Sequence, residues 1–201
     1  METASVIHQQ TIHAPMAITV SAFSDNIWFD RYQDLVHTPV GKFLVKNLGL
    51  PNPPKLERYR PDAPLVDGTV LVGAAPGSTL GSSVTDALAA LSVATTSALD
   101  EGARLKGIVL DATGIDTAAG LDQVQEFLTP VLRSLSACGR VVLLGTPPEQ
   151  AAAPGRAIAQ RALEGITRSL GKELGNGSTA QTVYVGSGAE HAIASTLGFL
   201  L

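Results

Sequence analysis

The first candidate for chemistry is a glycine-containing loop, residues 73–79, which follows a short apolar segment and precedes a helical pattern. At such a strand–helix junction, backbone N–H groups and the positive end of the helix dipole can hold a phosphate. The loop keeps Gly73 and Gly77 but has Thr79 where a dinucleotide-binding fingerprint has its third glycine. The β-carbon of Thr79 obstructs close packing of the helix on the strand. The sequence therefore favours a simple turn, with Ser78 and Thr79 as helix caps rather than flavin-phosphate contacts.

The other reactive side chains do not form a metal or nucleophile pattern. Cys138 is the only cysteine and has no neighbouring His or Lys in sequence, which predicts a structural thiol. Only His8 and His13 are close enough in sequence to share a metal, and we expect no metal site. Asp111 ends a predicted strand at the sheet edge where ligands gather, but a cap on the following turn is the favoured interpretation. The remaining histidines are His37 and His191.

Composition excludes several classes of function. The chain has 201 residues, with 14 Lys and Arg against 18 Asp and Glu, and a net charge of −4. Hydrophobic residues make up 45% and charged residues 16%, which excludes a disordered chain. A weakly acidic protein of this kind is not expected to bind nucleic acid or a membrane. Because residues 1–30 contain no Lys or Arg and no apolar run approaches the roughly 20 residues of a membrane span, we expect a cytoplasmic protein.

Apolar periodicity indicates the elements that position these residues. Residues 1–26 are expected to be a flexible tail, and residues 27–66 a helical arm followed by a proline-rich connector. The arm has Thr38 as a predicted N-cap, and its Trp28, Phe29 and Tyr32 are interpreted as docking side chains. Residues 67–201 form the core domain. Its strands are predicted near residues 69–72, 93–95, 107–111, 140–144 and 182–185, and its helices through 87–91 and over 121–135, 152–174 and 189–201.

These short strands lack apolar–polar alternation and are separated by helices, which predicts a doubly wound parallel sheet covered on both faces. Three segments of the core, in the right order, resemble the short-chain dehydrogenase/reductase superfamily. Residues 109–115 (Val-Leu-Asp-Ala-Thr-Gly-Ile) resemble its Asn-Asn-Ala-Gly strand end, and residues 139–142 resemble the strand leading to its catalytic serine. Residues 161–174 are similar to the helix that carries its catalytic Tyr-x-x-x-Lys.

When the sequence is placed in the same alignment with the superfamily, its catalytic positions hold other residues. Arg156 stands at the family's tyrosine position and Gln160 at its lysine position, and the asparagine pair becomes Asp111-Ala112. In the family, the tyrosine is a general acid and the lysine lowers its pKa. Arginine does not release a proton near neutral pH, and a neutral amide supplies no positive field. Thr146 can imitate the serine hydroxyl but has no acid to position. We therefore predict no catalytic, cofactor-binding or metal-binding residue in this chain.

The spacing also indicates a deletion. Only 38 positions separate Gly73 from Asp111, where the superfamily fits further strand–helix units. Removal of the outer unit of a 3-2-1-4-5-6 sheet leaves five strands in the flavodoxin-like order 2-1-3-4-5. The deletion also removes part of the wall on the adenosine side of a dinucleotide.

A closer resemblance covers residues 27–201. Residues 39–59, which include Pro-Val-Gly-Lys-Phe-Leu and Leu-Gly-Leu-Pro-Asn-Pro, are similar to the N-terminal part of actinobacterial high-molecular-weight 3-oxoacyl-acyl-carrier-protein reductases. The resemblance implies a flavodoxin-like domain without a competent active site, followed by a complete reductase domain. That second domain would use NADH or NADPH to reduce 3-oxoacyl thioesters of acyl-carrier protein or coenzyme A. Because the sequence stops inside an apolar helix, we expect the catalytic domain to follow residue 201.

Three functions are compared. The favoured one is a non-catalytic accessory domain of a 3-oxoacyl-acyl-carrier-protein reductase in fatty-acid metabolism, with no cofactor of its own. The alternative is an NAD(P)H-dependent short-chain ketoreductase in its own right. The second alternative is an FMN-binding flavodoxin-like module, although no aromatic residue suited to an isoalloxazine occurs in the predicted strand-end loops.

One helix face is predicted to be an interface. Helix 152–174 presents small and apolar residues at helical spacing, next to helix 121–135, and in short-chain reductases the equivalent helices form the main dimer interface. We expect this face to pair with a second copy, giving a homodimer, or with the reductase domain of the same polypeptide. The residues concerned are Ile158, Ala162, Gly165, Ile166 and Ser169.

Overall fold

The computed structural model of the protein describes residues 27–58 and 60–201, with side chains from Arg31 onward. Contacts divide the chain after Pro53 into two units, Met1–Pro53 and Pro54–Leu201. Several sequence predictions lie outside the described residues: those for the tail over residues 1–26, for His8 and His13, and for the side chains of Trp28 and Phe29. Among the described residues, no helix is long and apolar enough to cross a membrane.

In the part of the first unit that the structure describes there are two helices, α1 (Ile27–His37) and α2 (Pro39–Leu48). They are separated by Thr38, whose side chain accepts a hydrogen bond of 3.0 Å from the N–H of Gly41, as the predicted N-cap requires. Proline follows at the first helical position, where its missing N–H costs nothing. Gly49 ends α2 with a φ of 64°, the left-handed conformation that glycine adopts without strain.

The second unit is a five-stranded parallel sheet flanked by helices. Its strands are β1 (Thr69–Ala74), β2 (Ala94–Thr96), β3 (Leu105–Asp111), β4 (Leu135–Gly145) and β5 (Thr179–Tyr184). Its helices are α3 (Gly81–Ala90), α4 (Asp122–Val131), α5 (Pro154–Glu173) and α6 (Ile193–Leu200). The strand order is β2-β1-β3-β4-β5, which confirms the predicted doubly wound order 2-1-3-4-5.

Two hydrophobic layers cover the two faces of this sheet. Successive residues of β3 point to opposite layers: Ile108 and Leu110 pack with α4 and α5, and Val109 packs with α3 and α6. Because both faces are covered, the strand is apolar at consecutive positions rather than at alternate ones. Parallel pairing then brings the carboxyl ends of neighbouring strands together, with Asp111 beside Ala74 on one side and Leu144 on the other.

The boundary between α4 and β4 differs from the prediction. A helix was expected through Leu135, but α4 ends at Val131, a 3-10 turn covers Leu132–Ser134, and Leu135 is already the first residue of β4. Pro130 lies inside the last turn of α4 and has no N–H to continue the hydrogen-bond ladder. The apolar spacing of this segment predicted the helix correctly but not its end.

β4 begins five residues before the predicted strand and is irregular there. Leu135 pairs with Leu105 and Arg140 pairs with Gly107, so residues 136–139 oppose a single residue of β3. Cys138 lies in this irregularity with a φ of 54° and is buried, consistent with the structural thiol expected from sequence.

The second unit starts 13 residues before the predicted start of the core domain at residue 67. The cause is a set of contacts made by the connector. The N–H of Glu57 donates to Cys138 Sγ at 3.4 Å, and the thiol donates to the carbonyl of Lys55 at 3.7 Å. Lys106 Nζ donates to Glu57 Oε1 at 2.5 Å and to the carbonyl of Ala137 at 2.8 Å. Part of the predicted connector therefore belongs to the second unit.

Candidate functional site

The candidate site is the carboxyl edge of the sheet, where the loops after β1, β3 and β4 meet. In a doubly wound sheet this edge is where ligands bind. It contains the glycine loop of residues 73–79 and the positions that correspond to catalytic residues in the short-chain reductases that the sequence resembles.

Asp111 lies at the centre of this edge and is 1% exposed. Its Oδ1 accepts hydrogen bonds from the N–H and the hydroxyl of Thr113, at 3.0 and 2.7 Å. This is the turn cap that the sequence favoured. Its Oδ2 accepts a bond of 2.7 Å from the N–H of Leu80, the residue that precedes α3. The carboxylate therefore occupies the positive end of α3, where a phosphate would bind in a nucleotide site.

The prediction that Ser78 and Thr79 cap α3 is wrong. α3 begins at Gly81, and its N-cap residue, Leu80, has no capping side chain of its own. The hydroxyl of Ser78 instead donates to the Asp111 carbonyl at 2.8 Å and accepts from the N–H of Gly114 at 3.2 Å. The N–H of Thr79 donates to Thr113 Oγ1 at 3.0 Å. Sequence reasoning missed the cap because Asp111 supplies it from 31 positions away.

The loops after β1 and β3 are packed backbone to backbone. A β-carbon on Gly114 would lie 2.2 Å from the carbonyl oxygen of Pro76 and 2.5 Å from the nitrogen of Ser78. The turn that the sequence favoured over a phosphate cradle is thus closed by another loop of the same sheet. Backbone donors of residues 78–80 are all bonded to the protein itself, the first of them to the carbonyl of Ala75 at 3.1 Å.

Gln160, at the family's lysine position, is fully buried. Its Nε2 donates to the carbonyls of Ala112 and Ile115, at 2.9 and 2.7 Å, and its Oε1 accepts from the N–H of Thr146 at 2.7 Å. The amide joins α5 to the loops after β3 and β4. Both amide protons and one lone pair of Oε1 are used, and the side chain is fully buried, so the amide is not presented to a ligand.

Arg156, at the family's tyrosine position, is half-buried one turn before Gln160. One terminal nitrogen donates to the carbonyl of Thr113 at 2.9 Å and contacts Thr146 Oγ1 at 3.4 Å. Its Nε is buried without a hydrogen-bond partner among the described residues. The structure therefore brings Arg156, Gln160, Thr146 and the loop after Asp111 together.

Arg156 and Gln160 offer hydrogen bonds but no general acid or base. A guanidinium stays charged at neutral pH and an amide does not titrate, so neither can act as a general acid or base. The Thr146 hydroxyl faces the guanidinium, which accepts no proton. Among the described residues, no group of three or more His, Cys, Asp or Glu side chains could hold a metal ion.

A cluster of polar groups lies beside this edge, between α5 and β5. The hydroxyl of Tyr184 donates to Glu164 Oε1 at 3.1 Å and to the carbonyl of Gln160 at 3.0 Å. Burial and the hydrogen bond to Glu164 raise the pKa of Tyr184 to about 12. The pKa of Glu164 is lowered, first by the hydrogen bond from Arg161 and then by that from Tyr184. Arg161 also pairs with Glu149.

The predicted interface on α5 is an open groove. Ile158 is 64% exposed, and Gly165 is exposed with nothing within 4 Å of the place its β-carbon would occupy. Ala162 and Ile166 are half-buried, and Ile166 packs against the sheet core beside α4. The groove is rimmed by charged side chains of Glu149, Arg161 and Arg168.

Comparisons with known proteins bear on the fold. No protein-family model matches the chain, and no curated protein is significantly similar to it. Among solved structures, the protein lin1944 from Listeria innocua aligns with a TM-score of 0.53 at 17% identity, over 67% of this chain and 94% of that one.

Two further structures are similar at lower scores. A short-chain dehydrogenase/reductase variant from Serratia marcescens has a TM-score of 0.49 at 16% identity, over 69% of this chain and 90% of that one. BdcA, solved in complex with NADPH, has a TM-score of 0.46 at 16% identity, over 69% of this chain and 88% of that one. Scores this low carry no conclusion. The strand order and the Listeria innocua likeness together show a Rossmann-like, doubly wound α/β fold.

Proposed function

We propose that this chain is a non-catalytic, short-chain-reductase-like domain that accompanies a catalytic NAD(P)H-dependent 3-oxoacyl-acyl-carrier-protein reductase domain. The observation that carries the proposal is the bonding of Gln160. The Gln160 amide stands where short-chain reductases have a cofactor-binding lysine, and it hydrogen-bonds three backbone groups of this protein. A structural bridge thus replaces a cofactor-binding group.

The closed edge around Asp111 supports the same proposal. A dinucleotide bound here would place its negatively charged phosphates near the start of α3, where a buried carboxylate already accepts the N–H of Leu80. Two anions at one helix terminus repel each other, and displacement of Asp111 would leave the hydroxyl and N–H of Thr113 without their acceptor. The chain is therefore proposed to bind no nicotinamide cofactor.

The alternative is an NAD(P)H-dependent short-chain reductase in its own right. This alternative requires a doubly wound α/β fold, and the structure has one. The accessory role depends instead on the side chains at the sheet edge.

Cofactor binding and turnover distinguish the two. We expect the purified chain to cause no saturable change in the fluorescence of NADH or NADPH, either by quenching or by energy transfer. We also expect it to oxidise neither cofactor when acetoacetyl coenzyme A is supplied as the substrate. A catalytically competent 3-oxoacyl reductase is the positive control. Saturable binding, or turnover lost in both Arg156→Ala and Gln160→Ala chains that remain folded, would contradict the proposal. Co-purification of a yellow chromophore would favour the flavin alternative.

The α5 groove is proposed as the surface that pairs with the reductase domain or with a second copy. An exposed isoleucine beside an exposed glycine in a charged rim is suited to close helix packing. The test is Ile158→Glu, compared with the exposed control Arg168→Lys. The glutamate variant is expected to weaken association measured by sedimentation, and unchanged association would count against the surface.

A further inference from the structure

The α1–α2 hairpin has an open apolar stripe that the proposed function does not use. On α2, Phe43 is 67% exposed, Val40 67% and Leu48 65%. Val40 lies three residues before Phe43 and four before Leu44, and Leu44 lies four before Leu48, so these side chains follow one side of the helix. Leu35 of α1 and Leu50 after α2 extend the exposed apolar surface.

The hairpin is held in a defined shape although it has almost no core. A β-carbon on Gly41 would lie 1.8 Å from the carbonyl oxygen of Leu35, so the two helices approach at backbone distance. The Tyr32 hydroxyl donates to the Pro51 carbonyl at 2.6 Å and fixes the segment after α2. Among residues 31–53, only Val36 and Gly41 are buried. So small a core does not stabilise an isolated helix pair, and a preorganised apolar face needs a partner.

Charge favours a second copy of this chain as that partner. α2 carries Lys42 and Lys46 and no acid, whereas Asp34 is exposed on α1. Arg31 is exposed on α1 as well. Lys46 lies three residues after Phe43 and flanks the stripe, so in a two-fold pair, where every contact occurs twice, each copy can set its Asp34 against Lys46 of the other. An anionic membrane fits less well, because the whole chain has a net charge of −4 and α2 has only 10 residues.

The area is sufficient for such a pair. At ordinary side-chain sizes the exposed parts of the six apolar residues amount to roughly 600 Å². Two copies would therefore cover about 1,200 Å², the lower limit of what specific interfaces bury. We propose that the α1–α2 hairpin pairs through this stripe with the hairpin of a second copy, forming a four-helix bundle.

Sedimentation velocity of the full chain, from low to high micromolar concentration, tests the proposal. We expect a reversible dimer, and we expect Phe43→Glu combined with Leu48→Glu to raise its dissociation constant at least about tenfold. The matched control is Phe199→Glu on α6, an exposed aromatic residue outside both the hairpin and the α5 groove, which is expected to leave pairing by the hairpin in place. Circular dichroism of each variant verifies that the sheet domain remains folded, since the substituted positions are exposed.

Each alternative partner for the apolar stripe predicts a different experimental result. A chain that stays monomeric, or a dimer that the hairpin variant does not weaken, would overturn the proposal. Binding of the monomeric chain to phosphatidylglycerol vesicles, lost in the hairpin variant, would assign the stripe to a membrane instead. A monomer whose unfolding midpoint falls in the hairpin variant would assign the stripe to packing within one chain.

Discussion

The Oδ2 atom of Asp111 accepts a 2.7 Å hydrogen bond from the N–H of Leu80, which makes a strand-end carboxylate the cap of a helix 31 positions away. The other oxygen of the same carboxylate holds the turn at Thr113. Asp111 thus joins the loop after β1 to the loop after β3, and its three bonds are buried.

Removal of this carboxylate should be strongly destabilising. Asp111→Ala leaves two N–H groups and one hydroxyl without an acceptor, so we expect a loss of about 3 to 5 kcal/mol in the free energy of unfolding. Asp111→Asn should lose about 1 to 3 kcal/mol, because its amide nitrogen would face the Leu80 N–H. Guanidinium unfolding monitored by circular dichroism measures both. Asp116→Asn, at an exposed position on the same loop, is the control, and equal stability of all three variants would contradict the role of Asp111.

A lysine at position 160, as in the short-chain reductases that the sequence resembles, should not confer reductase chemistry. Gln160→Lys removes the acceptor of the Thr146 N–H and buries an ammonium group, so we expect about 3 to 5 kcal/mol of destabilisation. NADPH oxidation should remain absent because the tyrosine position still holds Arg156. The control is Gln150→Lys at an exposed amide, expected within about 0.5 kcal/mol of the parent chain. A stable Gln160→Lys chain with NADPH turnover would show that the site is only one substitution from activity.

The fold was largely predictable, and the reason is the two-sided burial of the sheet. The apolar runs around Val109 and Val142 predicted central strands, and the short spacing between β1 and β3 predicted the order 2-1-3-4-5. The connections that close the site were not predictable, because they join residues far apart in the chain. No local pattern indicates that Leu80 is capped by Asp111, or that the left-handed conformation at Cys138 belongs to a widened strand opposite Lys106.

Replacement of two glycines by alanine should change the stability of the fold in opposite directions. Gly114→Ala forces a backbone clash with Pro76 and should lower stability by about 1 to 3 kcal/mol. Gly171, inside α5, has nothing within 4 Å of its β-carbon position, so Gly171→Ala should raise stability by about 0.5 to 1 kcal/mol. Thermal unfolding of the two variants in parallel gives the comparison. A neutral Gly114→Ala variant would indicate that the two loops are not closely packed.

Tyr184 should give the chain a distinct response to alkali. Its pKa of about 12 lies above the ordinary value of 10, because burial disfavours the phenolate and because the neutral hydroxyl donates a hydrogen bond to Glu164. A raised pKa in the folded state gives stability that is fully present below pH 10 and is lost as the pH rises toward 12. Absorbance of phenolate at alkaline pH should show a late-titrating group in the parent chain that is missing in Tyr184→Phe. The variant's free energy of unfolding should also fall less steeply between pH 10 and 12.

The single thiol of the chain is covered by the backbone of Lys55 and Glu57, which has a practical consequence at the edge of the sheet opposite the candidate site. A reagent such as a maleimide can reach Cys138 only when that backbone moves away, so its labelling rate reports how often the segment around Lys55 and Glu57 detaches from the sheet. The labelling rate of this native cysteine thereby measures local unfolding without any substitution in the chain.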